Sequence, residues 1–288
     1  MEEGVGGGGG RIRPASVKVL EREEVNEVAD LVLSKWDKFL HIDHLAYGLP
    51  FFTYGPYWGY HEFGRNFNHR VGTERPRHET KLSSTYTTYQ DALDLTRDEM
   101  KEELGWFYDR VVESLKEVLG AERVHFLPGN VGLPGFHIIP SHLAWTFPIF
   151  RFHSDETFDL IVDYVLGAKG TTELNPDSCV GESRISFTLP IAMPDERSGL
   201  NYVDFSTDEK GTDCRREAEK EYGGGNEWKC HLKTREIYSE GVMVVHSGKL
   251  LHSIGEWSYN RYDRNRVTMQ GFGFKCEQGG EDIWYVYW

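Results

Sequence analysis

The sequence predicts a mainly β protein, an antiparallel sandwich or barrel, with its helices confined to the N-terminal part. Three observations predict it. After Gly120 the chain breaks into short apolar or alternating runs, among them "RVHFLPG", "GFHIIP", "FPIFRFH", "DLIVDYVL", "RISFTLPIAM", "GLNYVDF", "GVMVVHS", "NRVTMQGFGF" and "IWYVYW". Glycine, proline, asparagine or aspartate separates them, the chemistry of turns between antiparallel strands. Helical periodicity falls in two segments, both ahead of Gly120. Finally, 39% of the 288 residues are hydrophobic and 14% aromatic, enough for a core with aromatic rings left to line a cavity.

Along the chain, residues 1–13 open acidic and turn to polyglycine, and are expected to be a disordered tail. Residues 14–40 are read as helical, with Val25, Val28, Leu31, Val32 and Trp36 on one apolar stripe. "KFLHIDHL" is taken as the end of this helix, where His41, Asp43 and His44 are structural or surface residues. The aromatic segment "YGLPFFTYGPYWGYHEFGRNF" is too long for a simple connector. Its Tyr54, Tyr57, Trp58 and Tyr60 either close over a substrate or pack an extended segment. A second helix is expected over 97–119, striped by Leu104, Phe107, Val111, Leu115 and Val118 and stopped by Gly120. Residues 206–235 interrupt the β region with a polar, charged insert. The organisation predicted is one domain over 14–288, with a helical and irregular region at 14–120 and a β core at 121–288.

Charge and composition remove several function classes. A net charge of −14 repels phosphate backbones, so nucleic acid is not expected as a partner. Mean hydropathy is −0.53 and no apolar run approaches the ~20 residues of a membrane span. The four cysteines, Cys179, Cys214, Cys230 and Cys276, form no C-x-x-C and do not look like a disulfide framework. With no basic-then-apolar leader at the N-terminus, the expected setting is reducing and cytoplasmic. The polyglycine run lacks a following Lys-Ser/Thr, "GNVGLPG" lacks strand–helix context, and no G-x-S-x-G occurs.

The chemistry-bearing motif sits in "FRFHSDETFDL", where His153 and Asp155 end an apolar run two residues apart. Period 2 places both on one face of a strand, where they can share a metal ion. By itself H-x-D is weak, since His41 and Asp43 repeat it. Its weight comes from two downstream segments and their order. "EGVMVVHSGKLLHSIGEW" reads as a strand, a short turn and a second histidine, His252. "DRNRVTMQGFGF" then opens a strand at Arg266 and continues to Thr268.

H-x-D, a distal histidine, then Arg-x-Ser/Thr in this order resembles the iron(II)/2-oxoglutarate-dependent dioxygenase superfamily, over roughly residues 126–274. The resemblance implies a double-stranded β-helix, a jelly-roll fold like that of the cupins. It implies that His153, Asp155 and His252 bind Fe(II), and that Arg266 and Thr268 hold the distal carboxylate of 2-oxoglutarate. It further implies O₂ as co-substrate and hydroxylation as the default outcome, with desaturation or oxidative cyclisation open to the same site. Asp155 fills the position that related halogenases leave to chloride. Two imidazoles and one carboxylate form a facial set suited to iron with open positions, and an arginine fork matches a carboxylate. Arg266 lies 14 positions beyond His252, a few more than is usual in the family, and Arg264 is its reserve. His246, ending "VVHS", is the rival distal ligand.

Softer candidates surround this set. Arg151 shares a strand face with His153 and, with Trp145 and Tyr57, is a candidate for substrate binding. His137 is a candidate neighbour of the site or a core residue. Arg184, Ser186 and Thr188 alternate with Ile185, Phe187 and Leu189, so one face of that strand is polar and faces either a cavity or solvent. The substrate expected is a small or medium-sized molecule. The alternatives are a cupin-like metal-dependent dioxygenase or isomerase that does without 2-oxoglutarate, and a non-enzymatic jelly-roll binding module.

Overall fold

In the computed structural model, the residues described are 14–44, 49–56, 89–128, 131–140, 155, 174, 178–194, 198–203, 233–248, 250, 252–254 and 264–288. Two α-helices occur among them, α1 (Arg22–Ser34) and α2 (Tyr89–Leu119), with a 3₁₀ turn at Trp36–Lys38, and the rest of the regular structure is strand. The strands are β1 (Ala15–Lys18), β2 (Leu40–His44), β3 (Leu49–Tyr54), β4 (Arg123–Phe126), β5 (Gly135–Ile139) and β6 (Cys179–Ala192). They continue with β7 (Gly199–Val203), β8 (Lys233–Ile237), β9 (Val242–Ser247), β10 (His252–Ile254), β11 (Arg266–Gln278) and β12 (Glu281–Tyr287).

The larger sheet runs β1-β9-β6-β11-β5-β3-β2, with β12 pairing the far half of β11 and also β4; the smaller runs β10-β7-β8. From β6 onward the chain winds between the two. β6 lies in the large sheet, β7 and β8 in the small, β9 in the large, β10 in the small and β11 in the large. Every pairing among these strands is antiparallel. This alternation is the winding of a double-stranded β-helix, the jelly roll that the sequence resemblance implies.

Strand alternation divides the large sheet into two faces. Ile185, Phe187, Leu189, Met243, Val245, Val267, Met269, Phe136 and Ile138 form the outer face, in one buried cluster with both helices. α1 contributes Val25, Val28 and Val32, and α2 contributes Met100, Leu104, Phe107, Val111 and Leu115. Each such burial is worth about 1.5–3 kcal/mol, which fixes the helices to the sheet. The Glu24 carboxylate accepts the Glu21 N–H at 2.8 Å, half of a capping box that starts α1. α2 ends at Gly120, whose φ of 59° is the left-handed conformation that glycine adopts without strain. The opposite, inner face of the large sheet looks toward the small sheet. Leu200 of the small sheet meets Val244 of the large one there, with Met193 and Tyr238.

Several local expectations differ from the structure. Residues 15–18 form strand β1 on the edge of β9, and "KFLHIDHL" contains strand β2 instead of a helix end. Pairing with a neighbouring strand overrode local helical spacing in both places. Trp36 lies in a 3₁₀ turn beyond α1 and is 73% exposed, so it does not continue the stripe. α2 begins at Tyr89, earlier than predicted, and β8 begins at Lys233, inside the expected insert. Cys179 and Cys276 are directly opposite in the β6–β11 register and form a disulfide, contrary to the expectation from their spacing. They lie 97 residues apart, so only the strand pairing brings them together. No helix among the described residues is long and apolar enough to cross a membrane.

Candidate active site

The inner face of the large sheet is polar where the outer face is apolar. Register fixes its rows. Tyr287, Phe272, Ser186 and His246 lie side by side across β12, β11, β6 and β9. One row to one side stand Tyr285, Phe274 and Arg184. To the other side come Gln270 with Thr188, and then Thr268 between Pro190 and His137. Ser186 and Thr188 are buried, so the polar face of β6 turns to the interior, with Arg184 at its partly buried end.

Asp155, His246 and His252 converge here. Each offers a ligand atom, and these atoms all lie within 4.8 Å of one another. They are the metal-capable group found among the described residues. His252 comes from the first position of β10 in the small sheet, and His246 from β9 in the large one, so the cluster bridges the two sheets. All three residues are buried. The His252 Nε2 is 3.7 Å from the Asp155 Oδ2, and the two imidazole centroids are 4.6 Å apart.

Their orientations are set by neighbours. His252 Nδ1–H donates to the Leu250 carbonyl at 2.8 Å, and His246 Nδ1–H donates to the Ser247 carbonyl at 2.9 Å. A carbonyl only accepts, so each ring carries its proton on Nδ1 and presents the Nε2 lone pair when neutral. The Ser186 hydroxyl donates to the Asp155 Oδ2. The Asp155 N–H donates to the Gly248 carbonyl at 2.8 Å, and the Gly248 N–H to the Arg184 carbonyl at 3.0 Å. The carboxylate is thus held by both its backbone and its side chain. A carboxylate with imidazole nitrogens is a donor set suited to a divalent first-row metal such as iron.

Farther along the same face, Arg266 is buried at 1% exposure beside the fully buried Thr268. Its Nη1 lies 3.5 Å from the Thr268 hydroxyl, and its Cζ lies 6.0 Å from the centre of the Tyr238 ring. Burial draws the guanidinium down to about 10, with Tyr238 opposing the shift, so it remains a cation at neutral pH. Burial raises the Tyr238 phenol, which hydrogen-bonds Thr188. His137 sits against Trp288 with centroids 5.3 Å apart. Gly135 makes room for that tryptophan, because a Cβ there would fall 1.8 Å from the ring. Burial, and secondly the Arg266 charge, pull His137 down to about 3, so its ring is neutral.

The structure therefore brings together Asp155, His252, Arg266 and Thr268 on one interior. Arg264 stands apart, exposed and paired with Glu240 at 3.3 Å. His153, Arg151, Trp145, Tyr57, Trp58 and Tyr60 lie outside the described residues. Tyr54 packs in the core shared with the helices. The interior places of Tyr238 and Tyr287 were not legible in the sequence, where Tyr287 read as part of an ordinary strand run and Tyr238 belonged to none of the runs.

No family model and no curated protein sequence matches the chain. Solved structures similar to it include the non-heme alpha ketoglutarate dependent epimerase SnoN from nogalamycin biosynthesis, at 11% identity and a TM-score of 0.44, over 94% of this chain and 83% of that one. The alpha ketoglutarate dependent carbocyclase SnoK, also from nogalamycin biosynthesis, is 10% identical with a TM-score of 0.44, over 96% and 93%. A prolyl-4-hydroxylase from Pseudomonas putida is 11% identical with a TM-score of 0.38, over 93% and 94%. The fold follows from the strand order and not from these likenesses. In motif order, in the winding of its strands and in its buried Asp–His–His cluster, the chain resembles the iron(II)/2-oxoglutarate-dependent dioxygenase superfamily.

Proposed function

We propose that the protein is a non-haem iron(II), 2-oxoglutarate-dependent oxygenase acting on a C–H bond of a small or medium-sized organic molecule, hydroxylation being the default outcome. One observation carries the reading: an imidazole–carboxylate donor set and an arginine–threonine pair are both buried in the interior between the two sheets. Asp155 and His252 would hold the iron, with His153 as the further ligand of the H-x-D motif. Bound iron and 2-oxoglutarate would supply the activation of O₂, with succinate and CO₂ as co-products.

The chain's own residues position and shield. Ser186 fixes the Asp155 carboxylate, and the Leu250 carbonyl fixes the His252 tautomer. Arg266 would hold the distal carboxylate of 2-oxoglutarate with its fork of donors, and Thr268, whose hydroxyl lies beside that guanidinium, would add a further hydrogen bond. The Tyr238 ring backs the guanidinium and itself packs with Met193, Leu200 and Val244. In such an interior a charge pair is stronger than it would be in water.

The test is anaerobic titration of Fe(II) and then 2-oxoglutarate, followed by the visible charge-transfer band of the chelate. Asp155→Ala and His252→Ala should each abolish stoichiometric iron binding. Arg266→Ala should weaken 2-oxoglutarate roughly 100-fold, the loss of a bidentate charged contact. Arg264→Ala should stay within about twofold, as an exposed ion pair does. Normal succinate formation after removal of Asp155 and His252 would refute the assignment.

One observation favours a second reading. His246 also stands within ligand distance of Asp155 and His252. With His246 bound as well as His153, Asp155 and His252, a six-coordinate iron would keep no position for O₂ beside a chelating co-substrate, and the centre would be of a cupin-like type that does without 2-oxoglutarate. The same titration separates the two readings, because that centre would bind iron and give no chelate band.

A further inference from the structure

The inner face carries a second cation on the other side of the metal-capable cluster from Arg266. Arg184 lies one row from Ser186 and His246, about 7 Å along the strand, whereas Thr268 and Arg266 lie beyond Thr188 in the opposite direction. We propose that Arg184, with Tyr287 beside it, recognises an anionic group of the substrate, so that the substrate is a small organic carboxylic acid. The proposal rests on the oxygenase reading and assigns the substrate class of that same site.

Four features support it. First, register puts the Arg184 side chain on the face that carries Ser186, whose hydroxyl holds Asp155. Second, the Asp155–Gly248–Arg184 backbone ladder, with bonds of 2.8 and 3.0 Å, fixes its distance from the metal-ligand loop. Third, Tyr287 is 2% exposed in the adjoining row, next to Phe272 at 6.1 Å between centroids. Burial raises its phenol, the Arg184 charge lowers it and the Asp155 charge raises it, so both charged groups lie within electrostatic reach of a hydroxyl that stays protonated. Fourth, Arg184 is only partly buried, unlike Ser186 and Thr188 on the same face. A guanidinium fork and a neighbouring phenol are suited to a carboxylate, one bidentate and the other a single donor. In a chain of net charge −14, two arginines facing one interior give that interior a local sign opposite to the surface.

The proposal is tested with zinc-loaded protein saturated with 2-oxoglutarate, which binds without turning over. The probes are matched pairs of carboxylic acids and their primary amides, such as 3-phenylpropionate with its amide and N-acetylated amino acids with theirs, followed by ligand-observed NMR. Acids should bind at least about tenfold more tightly than their amides, as hydrogen bonds to a charged group predict. Arg184→Gln should erase that preference and leave 2-oxoglutarate affinity unchanged, and Arg184→Lys should restore part of it. The proposal is overturned if no acid binds, if amides bind as well as acids, or if the preference survives Arg184→Gln. It is also overturned if Arg184→Gln weakens 2-oxoglutarate, since Arg184 would then serve the co-substrate. Failure of the unaltered protein to take up zinc or 2-oxoglutarate, seen before any acid is added, refutes the oxygenase reading, and this proposal falls with it.

Discussion

Strand β6 carries two chemistries on alternate side chains. Ile185, Phe187 and Leu189 enter the core shared with α1 and α2, while Arg184, Ser186 and Thr188 face the small sheet. The same division continues across β11, where Val267 and Met269 oppose Arg266 and Thr268, and across β9, where Val245 opposes His246. Both faces are buried, so burial alone does not separate scaffold from site. What separates them is how each buried group is satisfied. The outer face is held by apolar area, which is non-directional and tolerant of small shifts. The inner face is held by directed hydrogen bonds, each aiming one atom. A structural role and a chemical role can therefore alternate every 3.3 Å or so without interfering.

Three substitutions challenge this division, and the largest effect is expected on the outer face. Phe187 is 1% exposed and packs so closely on Gly271 that a Cβ there would meet its ring at 2.3 Å. Phe187→Ala should lower unfolding free energy by about 3–5 kcal/mol, measured by urea denaturation, and the folded fraction should still bind metal normally. Loss of metal affinity in well-folded Phe187→Ala protein would show that the two faces are coupled. Ser186→Ala, one residue away, should do the reverse. Removing the hydroxyl that orients Asp155 should weaken metal binding about 10–100-fold by competitive chelation, with a smaller change in stability.

The third substitution concerns His137, whose value of about 3 contrasts with the 6.5 of an unperturbed ring. Between these two values the unfolded chain holds a proton that the folded chain does not, so stability is intact above 6.5 and declines as pH falls toward 3. His137→Gln should flatten that acid limb relative to the unaltered protein when urea midpoints are compared across this window. Parallel curves for the two proteins would mean that folding does not lower the His137 pKa.

Much of this architecture is legible in the sequence because strand alternation is a local property. The runs around β4, β5, β6, β7, β9, β11 and β12 announce themselves by apolar spacing and flanking turn residues. β1 and β2 do not, because their strand identity comes from an edge partner supplied elsewhere in the chain. β10 is three residues long, too short for any periodicity. Candidate ligands could be named from the order of H-x-D, His252 and Arg266-x-Thr268. Ser186 appeared only as part of a polar face whose direction was open, and the place of Tyr238 beside Arg266 left no trace in spacing. The disulfide was hidden for the same reason, since its cysteines meet only through the β6–β11 register.

Local pattern was enough for the mainly β class, the two apolar helical stripes and a short set of candidate residues for a metal and a carboxylate. These depend on periodicity and residue chemistry, which act over a few positions. The tertiary structure decided which face of β6 turns inward and that Arg266 is interior while Arg264 pairs with Glu240 at the surface. It also decided that His246 joins Asp155 and His252. Those outcomes depend on how two sheets close on each other. That closure is a long-range balance of apolar burial against helices on one side and directed polar contacts on the other, and no local pattern records it.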